Sequence, residues 1–170
     1  KGSINNLFIN LIHFFGMKKF LTMVAAVCMF ASCGARDIEK SVSYDVEAFS
    51  AIDMTGVGEI IYTQGDNYSV KAEGDSVYLN NVTIRVKDGE LVIGQKKDLK
   101  NNEGINFYIT APMLKKVTCA GVGTLKMPEA VNFDNDFCLE QEGVGSVKIE
   151  NLTCKDFDFR QEGVGAADIK

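Results

Sequence analysis

Four copies of Gly-Val-Gly constrain the fold of this chain more than any other feature. They lie at Gly56-Val57-Gly58, Gly121-Val122-Gly123, Gly143-Val144-Gly145 and Gly163-Val164-Gly165. The last two copies extend further, since Leu139-Glu140-Gln141-Glu142 aligns with Phe159-Arg160-Gln161-Glu162 at a period of 20 residues. The interval before them is 22 residues. A unit of that length cannot bury its apolar side alone and must stack on its neighbours.

Positions counted from each first glycine sort into faces. Four residues before it stand Ile52, Val117, Leu139 and Phe159; four after it stand Ile60, Leu125, Val147 and Ala167. Six after it come Tyr62, Met127, Ile149 and Ile169. The positions between are mostly polar: Asp53, Thr118, Glu140 and Arg160 before the triplet, and Glu59, Thr124 and Ser146 after it. Apolar residues at every second position indicate half-buried β-strands, with the glycines giving the backbone freedom to bend or bulge. The expected architecture is all-β: a parallel β-helix-like solenoid of ~20-residue coils, joined to a hairpin-containing β segment. Gln141 and Gln161 fall on the inward phase, behind Cys119 in the same column, where they could stack as an amide ladder.

The middle of the chain is β without the repeat. Asn67–Glu73 alternates, and Val82–Lys87 and Glu90–Gly94 flank Asp88-Gly89, a strong hairpin signal. Ile105–Thr110 reads as a strand ended by Ala111-Pro112, and Asp98–Glu103 as a surface loop.

The N-terminal region has a different organisation. Met17-Lys18-Lys19 precedes an apolar run from Phe20 to Phe30, followed by Ala31-Ser32-Cys33. Eleven apolar residues are too few for a bilayer core, which takes about 20 in a helix. The order basic, apolar, small, Cys is similar to a bacterial lipoprotein signal, with Phe30 where Leu is usual. It implies cleavage after residue 32 and a lipid-bearing (palmitate-type) Cys33 followed by a short tether to residue 41. Gly34 in place of Asp points, by analogy with lipoprotein sorting, to the outer membrane. The competing reading is an uncleaved membrane helix lengthened by Leu7–Phe15, which would put Lys18 and Lys19 inside the bilayer. Residues 1–16 are expected to lie outside the natural protein, and residues 42–170 to form one β domain truncated at its C-terminus.

All 23 acidic residues follow Cys33, whereas Lys1, Lys18 and Lys19 of the 18 basic residues precede it, so the later part carries a net charge of −8. That balance argues against nucleic-acid binding, which needs a basic footprint. The single histidine, His13, also lies upstream. Beyond Cys33 there can be no Ser-His-Asp or Cys-His arrangement and no His-ligated zinc site. No cofactor or metal is implied: the triplets lack the helix that a phosphate-binding loop feeds, and Asp134-Asn135-Asp136 reads as a solvated loop before it reads as a calcium site. Cys119, Cys138 and Cys154 have no CxxC spacing; buried thiols are favoured, with one disulfide left open.

Taken in order, the lipoprotein-like leader, Phe49-Ser50-Ala51-Ile52-Asp53-Met54-Thr55-Gly56-Val57-Gly58, the segment Phe107–Val117 and the tandem Gly-x-Gly units resemble the putative auto-transporter adhesin, head GIN domain family, from about Val42 to Lys170. The resemblance implies a β-helical fold, placement in the cell envelope and no established catalytic residue. The function expected is a non-catalytic binding or adhesion module, attached to the membrane by its lipid, whose partner is a glycan or an envelope protein. The alternatives are a polysaccharide-active β-helix enzyme and a structural spacer. An enzyme would need outward carboxylates or Arg beside one another across coils, and Glu140, Glu142, Arg160 and Glu162 form the candidate surface cluster. On a stacked fold such charges are more often only solubilising.

Overall fold

The four triplets stack residue on residue. In the computed structural model of the chain, which describes residues 40–97, 99 and 104–170, they lie at the centres of β2 (Ala51–Gln64), β7 (Lys116–Asn132), β8 (Phe137–Thr153) and β9 (Phe157–Ile169). These strands run parallel, with Gly56, Gly121, Gly143 and Gly163 in one column and Val57, Val122, Val144 and Val164 in another. Two physical demands make the flanking residues glycine. Gly143 has a φ of 109°, a conformation that side chains disfavour, and a Cβ on Gly145 would overlap the Gly123 carbonyl oxygen of the rung below.

The expected apolar columns are the core. Ile52, Val117 and Leu139 are fully buried, as are Ile60 and Leu125 in the second column and Tyr62, Met127 and Ile149 in the third. Burial fades on β9, where Phe159 and Ile169 are partly covered and Ala167 is exposed. The column of Met54, Cys119, Gln141 and Gln161 also points inward, and its first three members are 2 % exposed. Gln161 is exposed, and the buried Gln141 Oε1 has no hydrogen-bond partner among the described residues.

The all-β expectation holds, but the strands form one open, mixed sheet, of which the parallel stack is only a part. Its order is β1-β3-β6-β2-β7-β8-β9, with β1 at Lys40–Tyr44, β3 at Ser69–Gly74 and β6 at Asn106–Ala111. β1 and β6 both pair antiparallel with β3. The hairpin around Asp88-Gly89 joins β4 (Val82–Lys87) to β5 (Glu90–Gln95), and both turn residues have the positive φ (52° and 79°) that a tight two-residue turn requires. One edge of β2 is shared: Ala51–Met54 pairs with β5, and Glu59–Gln64 pairs with β6. The two neighbours part at the glycine triplet. A single helical turn, α1 (Ser76–Leu79), is capped by Asp75, whose carboxylate accepts from the Val77 N–H at 2.7 Å.

Side-chain amides extend the backbone ladder where strands run out. Gln64, the last residue of β2, donates from Nε2 to the Pro112 and Asn132 carbonyls, each at 2.8 Å, and accepts from the Asn132 N–H at 2.7 Å. It pairs with β7 as a peptide group would. Asn81, 4 % exposed, does the same for Lys97, donating to its carbonyl at 2.7 Å and accepting from its N–H at 3.2 Å.

The leader, Cys33, the tether up to residue 39 and most of the Asp98–Glu103 segment lie outside the described residues. Among the described residues no helix is long and apolar enough to cross a membrane.

Candidate functional site

Strand alternation sends Glu140 and Glu142 to the outer face of β8, and Arg160 and Glu162 to the outer face of β9. Register places Glu140 beside Arg160 and Glu142 beside Glu162, so the expected cluster does assemble, but it divides into two halves of different character.

The Glu140 half is satisfied within the protein. Lys116 Nζ lies 2.6 Å from Glu140 Oε2, the Thr118 hydroxyl donates to the same oxygen at 3.3 Å, and Arg160 reaches Oε1 at 3.5 Å. Arg160 turns its other nitrogen to Asp158 at 2.8 Å. The Lys116 hydrogen bond, helped by Thr118 and the Arg160 charge, holds the Glu140 carboxyl below the usual carboxylate range and pushes the lysine up. A carboxylate held in its ionised form cannot serve as a general acid near neutral pH and makes a weak general base. The sequence reading passes over Lys116 and Asp158. Both stand two residues before members of the Thr118, Glu140 and Arg160 column, so the same alternation marks them as outward neighbours.

Glu142 and Glu162 are exposed and have no ion-pair partner among the described residues. Next to them stands the other feature that the sequence reading leaves unassigned, the middle residue of each triplet. Val122, Val144 and Val164 are 51 %, 53 % and 72 % exposed, and Val57 at the start of the row is half-buried. They form an aliphatic ridge along the column of triplets. The repeated outward phase of Glu142, Val144 and Ser146 is the signal that locates it. On its far side the Thr124 and Ser146 hydroxyls share a hydrogen bond of 3.2 Å. Beyond them Lys126 pairs with Glu59 at 2.7 Å and Lys148 with Glu150 at 2.8 Å.

The remaining candidates play structural parts. In the Asp134-Asn135-Asp136 turn, the Asn135 amide donates to the Leu114 carbonyl at 3.0 Å and to the Asp136 carbonyl. Among the described residues no three His, Cys, Asp or Glu side chains are grouped so as to hold a metal ion. Cys119, Cys138 and Cys154 are free thiols, and burial pushes the Cys119 thiol up to about 12, the nearby Asp53 adding to the effect.

Comparison with known proteins adds four findings. A family model described as "Putative auto-transporter adhesin, head GIN domain" matches residues 48–170. A crystal structure of a putative adhesin from Bacteroides fragilis superposes with a TM-score of 0.68 at 28 % identity, over 78 % of this chain and 62 % of that one. The chain therefore spans less than two thirds of that protein's length. A putative adhesin from Parabacteroides distasonis shares the fold, with a TM-score of 0.50 at 16 % identity over 78 % of this chain and 82 % of that one. No curated protein matches the chain.

Proposed function

This chain belongs to the putative auto-transporter adhesin, head GIN domain family, and on that footing we propose that it is a non-catalytic binding or adhesion module of the cell envelope. The observation that carries the reading is the composition of the outer face. Glu140, the carboxylate of the expected cluster with ion-pair partners, is held ionised by them, while the triplets present the same aliphatic side chain rung after rung. Such a surface offers repeated contacts, and an ionised Glu140 is poorly suited to proton transfer. The adhesin descriptions of the family and of the Bacteroides fragilis structure agree with it.

The attachment proposed is a lipid on Cys33 after cleavage of the leader, with delivery to the outer membrane. Its support is the basic, apolar, small, Cys order around Met17–Cys33 and the Gly34 that follows. Mass spectrometry of the protein extracted from membranes would find the diacylglyceryl thioether on Cys33; an unmodified thiol there would sink the anchor.

The path proposed for the parallel strands is that of β-helical coils. Four residues separate β7 from β8 and three separate β8 from β9. A straight strand of 17 residues would end ~56 Å from its start, and a four-residue connection reaches only ~18 Å. A strand that returns to its own starting edge has to turn within itself. The glycine triplets and the register shift between Met127 and Ala130 are the places for it to do so.

The test of function is a glycan-array and pull-down screen with the lipidation-site-to-terminus protein, run beside calcium-supplemented assays on acidic and neutral polysaccharides. Capture without turnover is the expected result. Turnover abolished by Glu142→Gln or Arg160→Ala, with the fold intact, would replace the module with an enzyme.

A further inference from the structure

Folding accounts for the glycines of each triplet and leaves the valine unexplained. A side chain on Gly145 would strike the neighbouring rung, but the Val144 side chain between Gly143 and Gly145 projects outward and is half exposed. Val122 and Val144 lie on strands paired along both edges, so their exposure belongs to the face and not to an open sheet edge. A polar β-former such as threonine would satisfy the backbone equally well there. Val122, Val144 and Val164, in register at rung spacing of about 4.8 Å, are exposed apolar side chains that the requirement for glycine does not explain.

Charge along this face says what kind of surface would cover the ridge. On one side Lys116, Glu140, Arg160 and Asp158 neutralise one another; on the other Lys126 pairs with Glu59 and Lys148 with Glu150. Between these closed networks stand Glu142 and Glu162, in register and without a cation among the described residues. Each lies two residues before an exposed valine. The strip is therefore aliphatic along its crest and negative along one flank.

Resting on the binding-module reading, we propose that the ridge of Val122, Val144 and Val164 with its Glu142 and Glu162 flank is a docking surface for a basic, aliphatic polypeptide segment. An extended chain places every second side chain on one face. A basic residue two positions from an aliphatic one then meets a Glu-x-Val unit with both groups at once. The acidic flank sets the charge of the partner and the valines supply the apolar contact.

The test uses the whole chain and a labelled peptide of repeating Lys-Ser-Val-Ser, with Glu-Ser-Val-Ser and Lys-Ser-Ser-Ser peptides as controls, in fluorescence anisotropy at low and high salt. The Lys-Ser-Val-Ser peptide is expected to bind most tightly and to weaken as salt rises. Joint Val122→Thr, Val144→Thr and Val164→Thr substitution should cost about tenfold or more in Kd while leaving the urea midpoint in place. The corresponding isoleucine substitutions should retain binding. Glu142→Gln with Glu162→Gln should weaken binding and flatten its salt dependence. Equal binding of the glutamate peptide, or binding unaffected by the threonine set, would overturn the proposal. So would a glycan, a lipid vesicle or a second copy of the chain occupying the ridge with the same dependence on these residues. A glycan bound elsewhere, with no peptide bound at the ridge, would overturn this inference and leave the module reading standing.

Discussion

The stacked glycines allow the two demands on them to be measured apart. Gly89 has a φ of 79° and nothing within 4 Å of where its Cβ would be, so Gly89→Ala perturbs conformation alone. Its cost is about 1 kcal/mol. Gly145 is not in the positive-φ region, but a Cβ there would overlap the Gly123 carbonyl oxygen, so Gly145→Ala perturbs contact alone. Backbone on a paired strand cannot swing aside like a side chain. The rungs must separate, breaking ladder hydrogen bonds, and the cost belongs at the upper end of overpacking, about 3 kcal/mol. Gly143→Ala meets both demands, with a φ of 109° and overlap with the Gly121 carbonyl oxygen, and should cost about 4 kcal/mol. With a urea slope of about 1.5 kcal/mol per M, the midpoints should fall by roughly 0.7, 2 and 2.7 M in that order. If Gly145→Ala proves as mild as Gly89→Ala, rung-to-rung contact is not what selects glycine in the triplets.

Three other outcomes follow from the faces and the charges. Val147→Asp buries a carboxylate at a position 2 % exposed and should cost several kcal/mol, about 3 or more, whereas Lys148→Asp at an exposed position should be nearly silent in the same urea titration; equal losses would mean that the faces are reversed. Gln64→Leu removes the amide that pairs with Asn132 and should lower stability by about 1–2 kcal/mol, with faster amide exchange at Asn132 as its signature. Because Lys116 holds the Glu140 carboxyl below its ordinary range, their pairing stabilises the fold above the pH at which an unfolded glutamate titrates and fades as pH falls through the depressed value. Lys116→Met should move the Glu140 titration upward in carboxyl-carbon NMR, and an unmoved titration would place the cause elsewhere.

Alternation about the triplets locates Ile52, Val117 and Leu139, and then Ile60, Leu125 and Val147, because a side chain's face in a strand is a local property. The Asp88-Gly89 hairpin is legible for the same reason, since its turn needs only two residues with positive φ. The antiparallel pairing of β3 with β1 and β6 joins segments with no local mark of partnership, and no repeat reveals it. The one-turn helix at Ser76–Leu79 is too short to show a helical period. At the site, the cluster of Glu140, Glu142, Arg160 and Glu162 is readable from the repeat. Its division is not, because that depends on Lys116 reaching across a rung to Glu140 and on Arg160 dividing itself between Glu140 and Asp158 of its own strand. The valines have the outward phase of Glu142 and Ser146, but an apolar residue on that phase carries no mark of its own to set it apart from the core columns.

The repeated triplets also bear on how the chain finds its pairing. β7 joins β8 through residues 22 apart, as at Thr118 and Glu140, and β8 joins β9 through residues 20 apart. Ala51 meets Lys116 only after a far longer loop closes. Short loops close first, so β7, β8 and β9 should associate before β2 docks against them. Four identical Gly-Val-Gly units leave a hazard at that step, because a strand that skips a rung still sets glycine on glycine. What separates the true neighbour from the skipped one is the variation between rungs: Cys119 against Gln141 inside, and Lys116 reaching Glu140 outside. Making those positions identical across the rungs should slow refolding and favour off-register species, even where the finished fold loses little stability.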